Sequence, residues 1–578
     1  MASSGDRTGR EVVNGDAAAV PDAVGDTARD VRRAPEAGSQ AAALPARAVL
    51  LPLLLAQFIN SYDTQSMNVA IQNIVTDLDT TVTGVQSALA LYTLVMAAGM
   101  ITGSKLAGIW GLRRTFRAGV IAYGIGALIT ALSTGLGMMV LGWSLLEGLG
   151  SVLMIPPIYI LATVTFKDPP ARAAAFGAIA AAAGAGGAMG PLLGGIITTA
   201  VSWRLSFALE VVAVVIILLL SRRIIDPGVQ EPRPKLDVIG AVLSAAGMTS
   251  VVLGALLAGT YGFFVARQPF AIAGLTLIPE GGISPTLILF AIGIGLLIGF
   301  GAWVWHLERR GEEPLVHRHV LRNRVSVPGL IAQNAQWFLS SGITFVTAVF
   351  LQLVFDFSAI ETGLMMLPVI IGLVFFSRRS AQVSRKYPPR RIMLAGFLLV
   401  EAGVAALLLM VDPTGPPWRF IPGLFLIGSG LGLVGPASVN VVQSAFGDED
   451  QAEISGVSRS VSNLGSSLGV AVAGAVLVSA LVTIGSQLTA ENTTLPPDVK
   501  SEVNAALEGS VSAVSDEQVE AALQGQPETV VQEVVRINAQ ARDRALGLAL
   551  FVLGAVGLFG VLASLFLPGR PSQRAERA

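Results

Sequence analysis

The feature that most limits how this chain can fold is a recurring one: from Val49 almost to the C-terminus, long apolar stretches follow one another with only short polar breaks. A bilayer core about 30 Å thick is crossed by about 20 apolar residues in a helix, because backbone groups facing lipid must be bonded within their own segment. Stretches of that kind lie at roughly 48–70, 84–107, 118–134, 138–165, 173–199, 203–221, 237–260, 285–307, 326–352, 359–378, 392–411, 419–445, 457–483 and 544–567, fourteen in all. The expected fold class is therefore all-α and integral to the membrane. Composition leads to the same place, since 53% of the 578 residues are hydrophobic and only 13% charged, far too apolar for an ordinary soluble protein.

Short cytoplasmic loops carry an excess of Lys and Arg, so the loops test the span count. With the N-terminus inside, one side receives Lys105, Arg113, Arg114 and Arg117, then Arg222, Arg223, Arg233 and Lys235. The same side takes Arg309, Arg310, Arg318, Arg322 and Arg324, then Arg378, Arg379, Arg385, Lys386, Arg390 and Arg391. Arg204, Arg267 and Arg419 are the exceptions on the other side. A missed or invented span would scramble this alternation, so both termini are expected inside. Residues 1–46 and 568–578 read as cytoplasmic tails, the first disordered for want of any apolar period. Two outside segments exceed hairpin length: 261–284, and 484–543, whose stretches Asp516–Leu523 and Glu528–Arg544 favour a partly helical cap.

Several function classes are excluded. Zero cysteines remove disulfides and thiol chemistry, and the three histidines His306, His317 and His319 read as solvated loop residues, so no metal site and no cofactor is expected. The net charge of −1 offers no clustered basic face for nucleic acid. No GxxxxGK[ST] loop is present, and the run Gly430-Leu-Gly432-Leu-Val-Gly435 matches a dinucleotide fingerprint in letters only, since it lies inside a span with no strand before it. No Ser/His/Asp arrangement is found, and the protein is not expected to be an enzyme.

Ionisable groups inside spans are costly, and are functional candidates by default. The first half holds three acids, Asp63, Glu147 and Glu210, all at similar depth slightly outside the midplane. Low dielectric favours the protonated form of a carboxylic acid. An acid that meets outside and inside water in turn can therefore carry a proton, and these three are the candidate proton-coupling residues. Each also admits a structural reading in which it bonds a neighbour and fixes packing. The second half offers polar groups, Gln333, Asn334, Gln336, Asn440, Gln443 and Asn463, with Glu401 and Arg459 as its intramembrane charges. Arg459 lies near the cytoplasmic end of its span and is read as snorkelling to water. Tyr92, Met96, Met154, Tyr159, Trp337 and Phe338 could form an adaptable apolar wall or simply fill the core. From these, Tyr92, Met96, Glu147, Gln333, Asn334, Trp337 and Asn440 are the candidate substrate-binding residues.

The fifth stretch carries small residues four apart, Ala178, Ala182, Gly186, Gly190 and Gly194, with Pro191 and Gly195 beside them. Such a stripe lets helix backbones approach closely in lipid. In the form Gly190-Pro191-Leu-Leu-Gly194-Gly195 followed by Trp203-Arg204, it resembles the antiporter signature of major facilitator superfamily proton-driven exporters. Asn60-Ser-Tyr-Asp63-Thr64-Gln-Ser-Met-Asn68 is similar to the first-span Asp-Thr element of EmrB/QacA-type exporters. Leu236-Asp237-Val-Ile-Gly240, Glu308-Arg309-Arg310 with Pro314-Leu-Val, and Thr362-Gly363-Leu with Leu367-Pro368 extend the resemblance to the fourteen-span drug/proton antiporter branch, from Arg47 to about Leu565.

That resemblance implies a major facilitator fold: six-helix bundles over 47–222 and 325–567, two additional helices over 237–308, and alternating access about a site near the midplane. It also makes Gly186, Gly190, Pro191, Gly194, Gly195, Arg113 and Arg114 the conformational motif. The chain departs from the family twice. Gly108 and Ile109 stand where the loop after the second span usually has an Asp-Arg pair, leaving Arg113 and Arg114 as the basic end of the latch. In the fourth span the usual Arg is Ser144, and an acid, Glu147, lies three residues on.

The function expected is secondary active export of small lipophilic, cationic compounds in exchange for protons, by a monomer in the cell membrane whose partners are the bilayer, its substrate and protons. Export of one specific metabolite or lipid precursor is the alternative within transport. A non-transporting membrane scaffold or receptor is the alternative of another class.

Overall fold

The computed structural model describes residues 46–567 and 569, apart from 81, 225–234, 273–274, 356, 358, 385, 411–415, 498, 502, 504–518, 520–522 and 524–525. The tails at 1–45 and 570–578 lie outside the described residues.

The first half consists of α1 (Ala46–Asp77), α2 (Val82–Trp110), α3 (Leu112–Ala131), α4 (Leu136–Thr165), α5 (Pro169–Ala200) and α6 (Trp203–Ser221). Next come α7 (Val238–Tyr261) and α8 (Pro285–Arg310), then the short α9 (Arg318–Arg322). The second half holds α10 (Ser326–Val354), α11 (Ala359–Met365), α12 (Leu367–Val383), α13 (Pro389–Met410), α14 (Ile421–Ser444), α15 (Gln451–Glu491) and α16 (Glu528–Leu565). Among the described residues, ten helical segments are long and apolar enough to cross a membrane by length and composition. The other four apolar stretches read from sequence fall on α1, α3, α10 and the pair α11–α12. These are the helices diluted by Gln57, Asn60 and Asp63, by Arg113, Arg114 and Arg117, by Gln333, Asn334 and Gln336, or broken near Met366.

Local chemistry sets several boundaries. Asp168 accepts from Ala171 N ahead of the proline-led first turn of α5, and Ser202 accepts from Arg204 N at the start of α6. Asp237 caps α7 through Gly240 N at 2.8 Å and also takes Trp303 Nε1 at 3.0 Å and Leu315 N at 3.2 Å. One carboxylate thus ties α7, α8 and the linker after α8 together.

Helix pairs inside each half pack along their length, α1 on α5 and α3 on α4 and α6 in the first, α10 on α15 and α16 and both α12 and α13 on α14 in the second. The halves meet along two seams, α5 with α12 and α2 with α15. The α7–α8 pair stands beside the second seam, with α7 against both α2 and α15. Large apolar side chains point outward along the rims, among them Ile125 on α3, Val212 on α6, Ile298 on α8 and Phe559 on α16. Lipid is the solvent such a surface needs.

In the long segment at 261–284, β1 (Phe270–Ile272) and β2 (Leu275–Ile278) pair antiparallel, so the all-α expectation is modified by one small hairpin among the described residues. In 484–543 much of the helix belongs to the long helices themselves, since α15 runs on to Glu491 and α16 already begins at Glu528. Leu495, Val499 and Val503 pack there with Val530, Val534 and Ile537. Of the stretch Asp516–Leu523, only Val519 and Leu523 fall within the described residues.

Candidate functional site

The three acids singled out in the first half come together. Asp63, Glu147 and Glu210 contribute carboxyl oxygens that lie within 4.8 Å of one another, and all three residues are buried. Asp63 takes Trp143 Nε1 at 2.9 Å on each of its two oxygens. Glu210 accepts from the Tyr123 hydroxyl at 3.0 Å, and Glu147 from Thr130 Oγ1 at 3.3 Å. Glu147 Oε2 and Glu210 Oε1 have no hydrogen-bond partner among the described residues, and no basic side chain pairs with any of the three. Three carboxylates this close, in low dielectric and without a cation, do not all ionise together, because each added charge raises the cost of the next.

The geometry depends on a local irregularity. Within α4, Val140–Glu147 is π-helical, and this wider i→i+5 turn buries Trp143, Ser144 and Glu147 together against α3 and α2. Gly126 of α3 leaves the room, since a Cβ there would stand 2.6 Å from Glu147 Cγ. Ser144, where the resembled family has an arginine, donates to Ala88 O at 2.8 Å. Trp143 is one helical turn from Glu147 in the sequence, a spacing that puts its ring beside the acids, whereas Tyr123, which also donates to them, carried no such mark.

Tyr92 and Glu147, placed by sequence among the substrate-binding residues, belong to this cluster's wall. Tyr92 stacks on Trp143 with ring centroids 4.8 Å apart and takes a bond from Asn60 Nδ2 at 3.1 Å. Ser151 accepts from Asn60 Nδ2 at 2.7 Å. Met96 packs between the two apolar cores of the first half. Three oxygens at this spacing are also a ligand set available to an oxygen-seeking cation. A search for metal sites through His and Cys misses it.

Gln333, Asn334 and Trp337 gather elsewhere, on α10 facing α15. Gln333 bonds Ser462 Oγ and Ser458 Oγ, each at 2.9 Å, and Asn334 Nδ2 donates to Val461 O at 2.9 Å. Arg459 lies on the same face of α15 and does not snorkel. It is 7% exposed, donates to the Tyr159 hydroxyl across the seam at 3.1 Å, and lies 4.3 Å from the Tyr159 ring centroid and 5.9 Å from that of Trp337. Tyr159 in turn donates to Gln57 Oε1 of α1 at 3.4 Å. Asn440 joins neither group, accepting instead from Arg172 Nε at 3.3 Å, a tie between α5 and α14.

The conformational motif divides. Gly186, Gly190 and Gly194 all face α1: added Cβ atoms would stand 2.3 Å from Phe58 O, 2.6 Å from Gln65 Cβ and 2.6 Å from Ser66 Cβ respectively. Pro191 and Gly195 lie in the same stretch of α5. Arg113 stays within the first half, donating to Arg222 O at 3.2 Å, and Arg114 is exposed. The ion pair that does cross the seam is one the sequence reading missed: Lys105 Nζ of α2 with Glu453 Oε1 of α15 at 3.0 Å, both buried. His317, in the linker after α8, joins it through Nδ1 at 2.9 Å and its backbone N at 2.7 Å, and the Glu453 carboxylate raises the His317 pKa above the ordinary histidine value.

Against known proteins, the sequence model of the Major Facilitator Superfamily matches residues 53–470. The probable actinorhodin transporter of Streptomyces coelicolor is 28% identical over 77% of this chain and 74% of its own length. The tetracenomycin C resistance and export protein of Streptomyces glaucescens is 27% identical over 92% of each chain. The puromycin resistance protein of Streptomyces alboniger is 26% identical over 75% of this chain and 82% of its own. Among solved structures, the human organic anion transporter MFSD10 aligns with a TM-score of 0.51 at 14% identity, covering 75% of this chain and 94% of the other, a likeness of fold alone.

Proposed function

We propose, from the premise that this chain belongs to the Major Facilitator Superfamily, that it is an efflux transporter exporting small lipophilic compounds in exchange for protons by alternating access. It is a multi-pass membrane protein, and we take all fourteen apolar helical segments as spans, with the basic loops and both termini in the cytoplasm. The observation that carries the proton half is the cluster of Asp63, Glu147 and Glu210, buried within 4.8 Å of one another and paired with no basic side chain among the described residues. Such a cluster keeps protons while closed and can release them only when its surroundings open to water on one side. The relative named as a tetracenomycin C resistance and export protein supports the direction of transport.

A second reading makes the cluster the place where a cationic substrate competes with protons, and the three oxygens around one point favour it. Against it stands the enclosure of Glu147 between α3 and α4, with Trp143 already stacked on Tyr92 and bonded to Asp63. Glu147→Gln separates the two in proteoliposomes loaded with a matched cationic and neutral pair of compounds. Equal loss of pH-driven efflux for both supports a proton site, and loss confined to the cation supports competition. Undiminished pH-driven efflux in both Asp63→Asn and Glu147→Gln would sink the proposal. Export of one metabolite or lipid precursor would use the same machinery with a narrower pocket, and a scaffold has no use for three buried acids.

A further inference from the structure

We propose that Arg459 is the anchor for an acidic group on the transported compound, and that the site takes planar aromatic anions such as carboxylates or ionised phenols. The assignment rests on the exporter reading for the word transported, but its geometry stands apart from the carboxyl cluster. Arg459 lies eight residues into α15, about 12 Å from the helix start. Its long side chain could have turned back to water, yet its guanidinium is directed across the seam to Tyr159 and along its own helix to Ser462 Oγ at 3.2 Å.

Every partner it has is neutral. Among the described residues no carboxylate forms an ion pair with Arg459. This is the costly arrangement for a buried cation, since attraction to an opposite charge is what offsets the loss of water. The contrast lies on the same helix: where the seam buries Lys105, it supplies Glu453 at 3.0 Å. Six residues, or about 9 Å, further along α15, no acid among the described residues takes the corresponding place, which leaves room for a neutralising charge from a ligand.

The surroundings indicate what kind of anion. A guanidinium has five N–H donors in a planar fork that matches a carboxylate bidentately, and hydrogen bonds occupy two of them here. The Tyr159 and Trp337 rings flank it, and aromatic rings of a ligand would find the same surfaces. Gln333 is held by Ser458 and Ser462, which keeps this face of α15 ordered around the arginine. Through Tyr159 the site touches Gln57 on α1, six residues before Asp63 on the same helix, so one element meets both the anion and the proton cluster. A bound anion and retained protons would each remove one sign of uncompensated charge from the interior.

The test uses the purified full-length protein in detergent and isothermal titration with 2-naphthoate and its neutral isostere 2-naphthamide. The acid is expected to bind at least tenfold more tightly than the amide. Arg459→Gln should remove that difference and leave the amide unchanged, with thermal unfolding as the folding control. Arg459→Lys keeps the charge without the fork and should weaken the acid severalfold; it decides the matter if the glutamine variant does not fold. Equal affinity for the pair, no binding of either, or equal loss of both in a folded variant overturns the assignment. Efflux of the same pair from proteoliposomes under a pH gradient separates this idea from the exporter reading. Binding of the acid without its transport counts against export and leaves the site standing. Transport of the amide but not the acid overturns the site and leaves export intact.

Discussion

The Asp63 carboxyl takes one indole N–H shared between its two oxygens, and that indole is itself fixed by its stack on Tyr92, so the acid is positioned by a side chain 80 residues away in sequence. Asp63→Asn keeps the shape and removes the ability to exchange a proton. It is expected to insert and fold normally while pH-driven efflux in proteoliposomes falls to background; efflux at the native rate would remove Asp63 from the proton path. Trp143→Phe keeps the stack but leaves a buried carboxyl without its donor, a loss of about 1–3 kcal/mol. Thermal unfolding in detergent should show that loss, and an unchanged unfolding temperature would mean another donor takes over. The acids were legible in sequence because a carboxyl stands out in an apolar span. Trp143 was legible as a neighbour of Glu147 one turn away but not as the donor to Asp63, and Tyr123 was not legible at all, because an aromatic residue in a membrane helix looks the same whether it faces lipid, core or a carboxylate.

At the scale of the element, α5 and α1 form a pair whose contact depends on missing side chains. Gly186, Gly190 and Gly194 recur every four residues, and each sits where a Cβ would meet α1 backbone or Cβ atoms at under 3 Å. The stripe was readable as periodicity, but not the identity of the helix it meets. Gly190→Leu forces the two helices apart, with overpacking typically costing about 1–3 kcal/mol. Transport should be lost while the protein still reaches the membrane, measured as efflux per molecule of inserted protein; a wild-type rate would show that the pair slides without close contact. The π-helical turn of α4 is the opposite case. Its sequence, Val140–Glu147, is ordinary helix-forming apolar chain, and only packing against α3 and α2 selects the wider register.

At the scale of the molecule, the two halves are fastened at the end that carries the basic loops. Lys105, Glu453 and His317 draw α2, α15 and the linker after α8 together, while Leu315 and Val316 bury themselves beside Ile101 and Ile454. Because the chain has no native cysteine, a pair introduced by S104C and A452C, whose parent residues are hydrogen-bonded across the same seam, should cross-link cleanly and stop transport until reduced. The His317 pKa is raised in the folded protein by Glu453, against Lys105 and with Asp450 nearby. Its contribution to the latch is therefore complete below about pH 6.5, the ordinary histidine value, and fades as pH rises through the higher value set by Glu453. Because thiolate formation speeds cross-linking in any variant as pH rises, the readout is the ratio to His317→Gln: the native-His317 protein should lose its advantage as pH rises through that window. A pH profile unchanged by His317→Gln would assign the titration to another group.

The sequence by itself determined the solvent, the helices and the side of the membrane on which charge collects. Those follow from local composition: an apolar stretch of sufficient length has one way to satisfy its backbone in lipid, and each span carries that information alone. It also marked Asp63, Glu147 and Glu210 as out of place. What only the tertiary structure decided is which of these residues share a site. Glu147 went to the acids and not to Gln333 and Trp337. Asn440 went to Arg172, and the ion pair across the seam joins Lys105 and Glu453, while Arg113 bonds within the first half. Arg459 turned from the water it was expected to seek toward a tyrosine of the other half. The reason is physical: rotation of a helix about its axis and the choice of its neighbour depend on close packing of small residues and on single hydrogen bonds between segments far apart in the chain, and neither leaves a periodic trace in the helix that carries it.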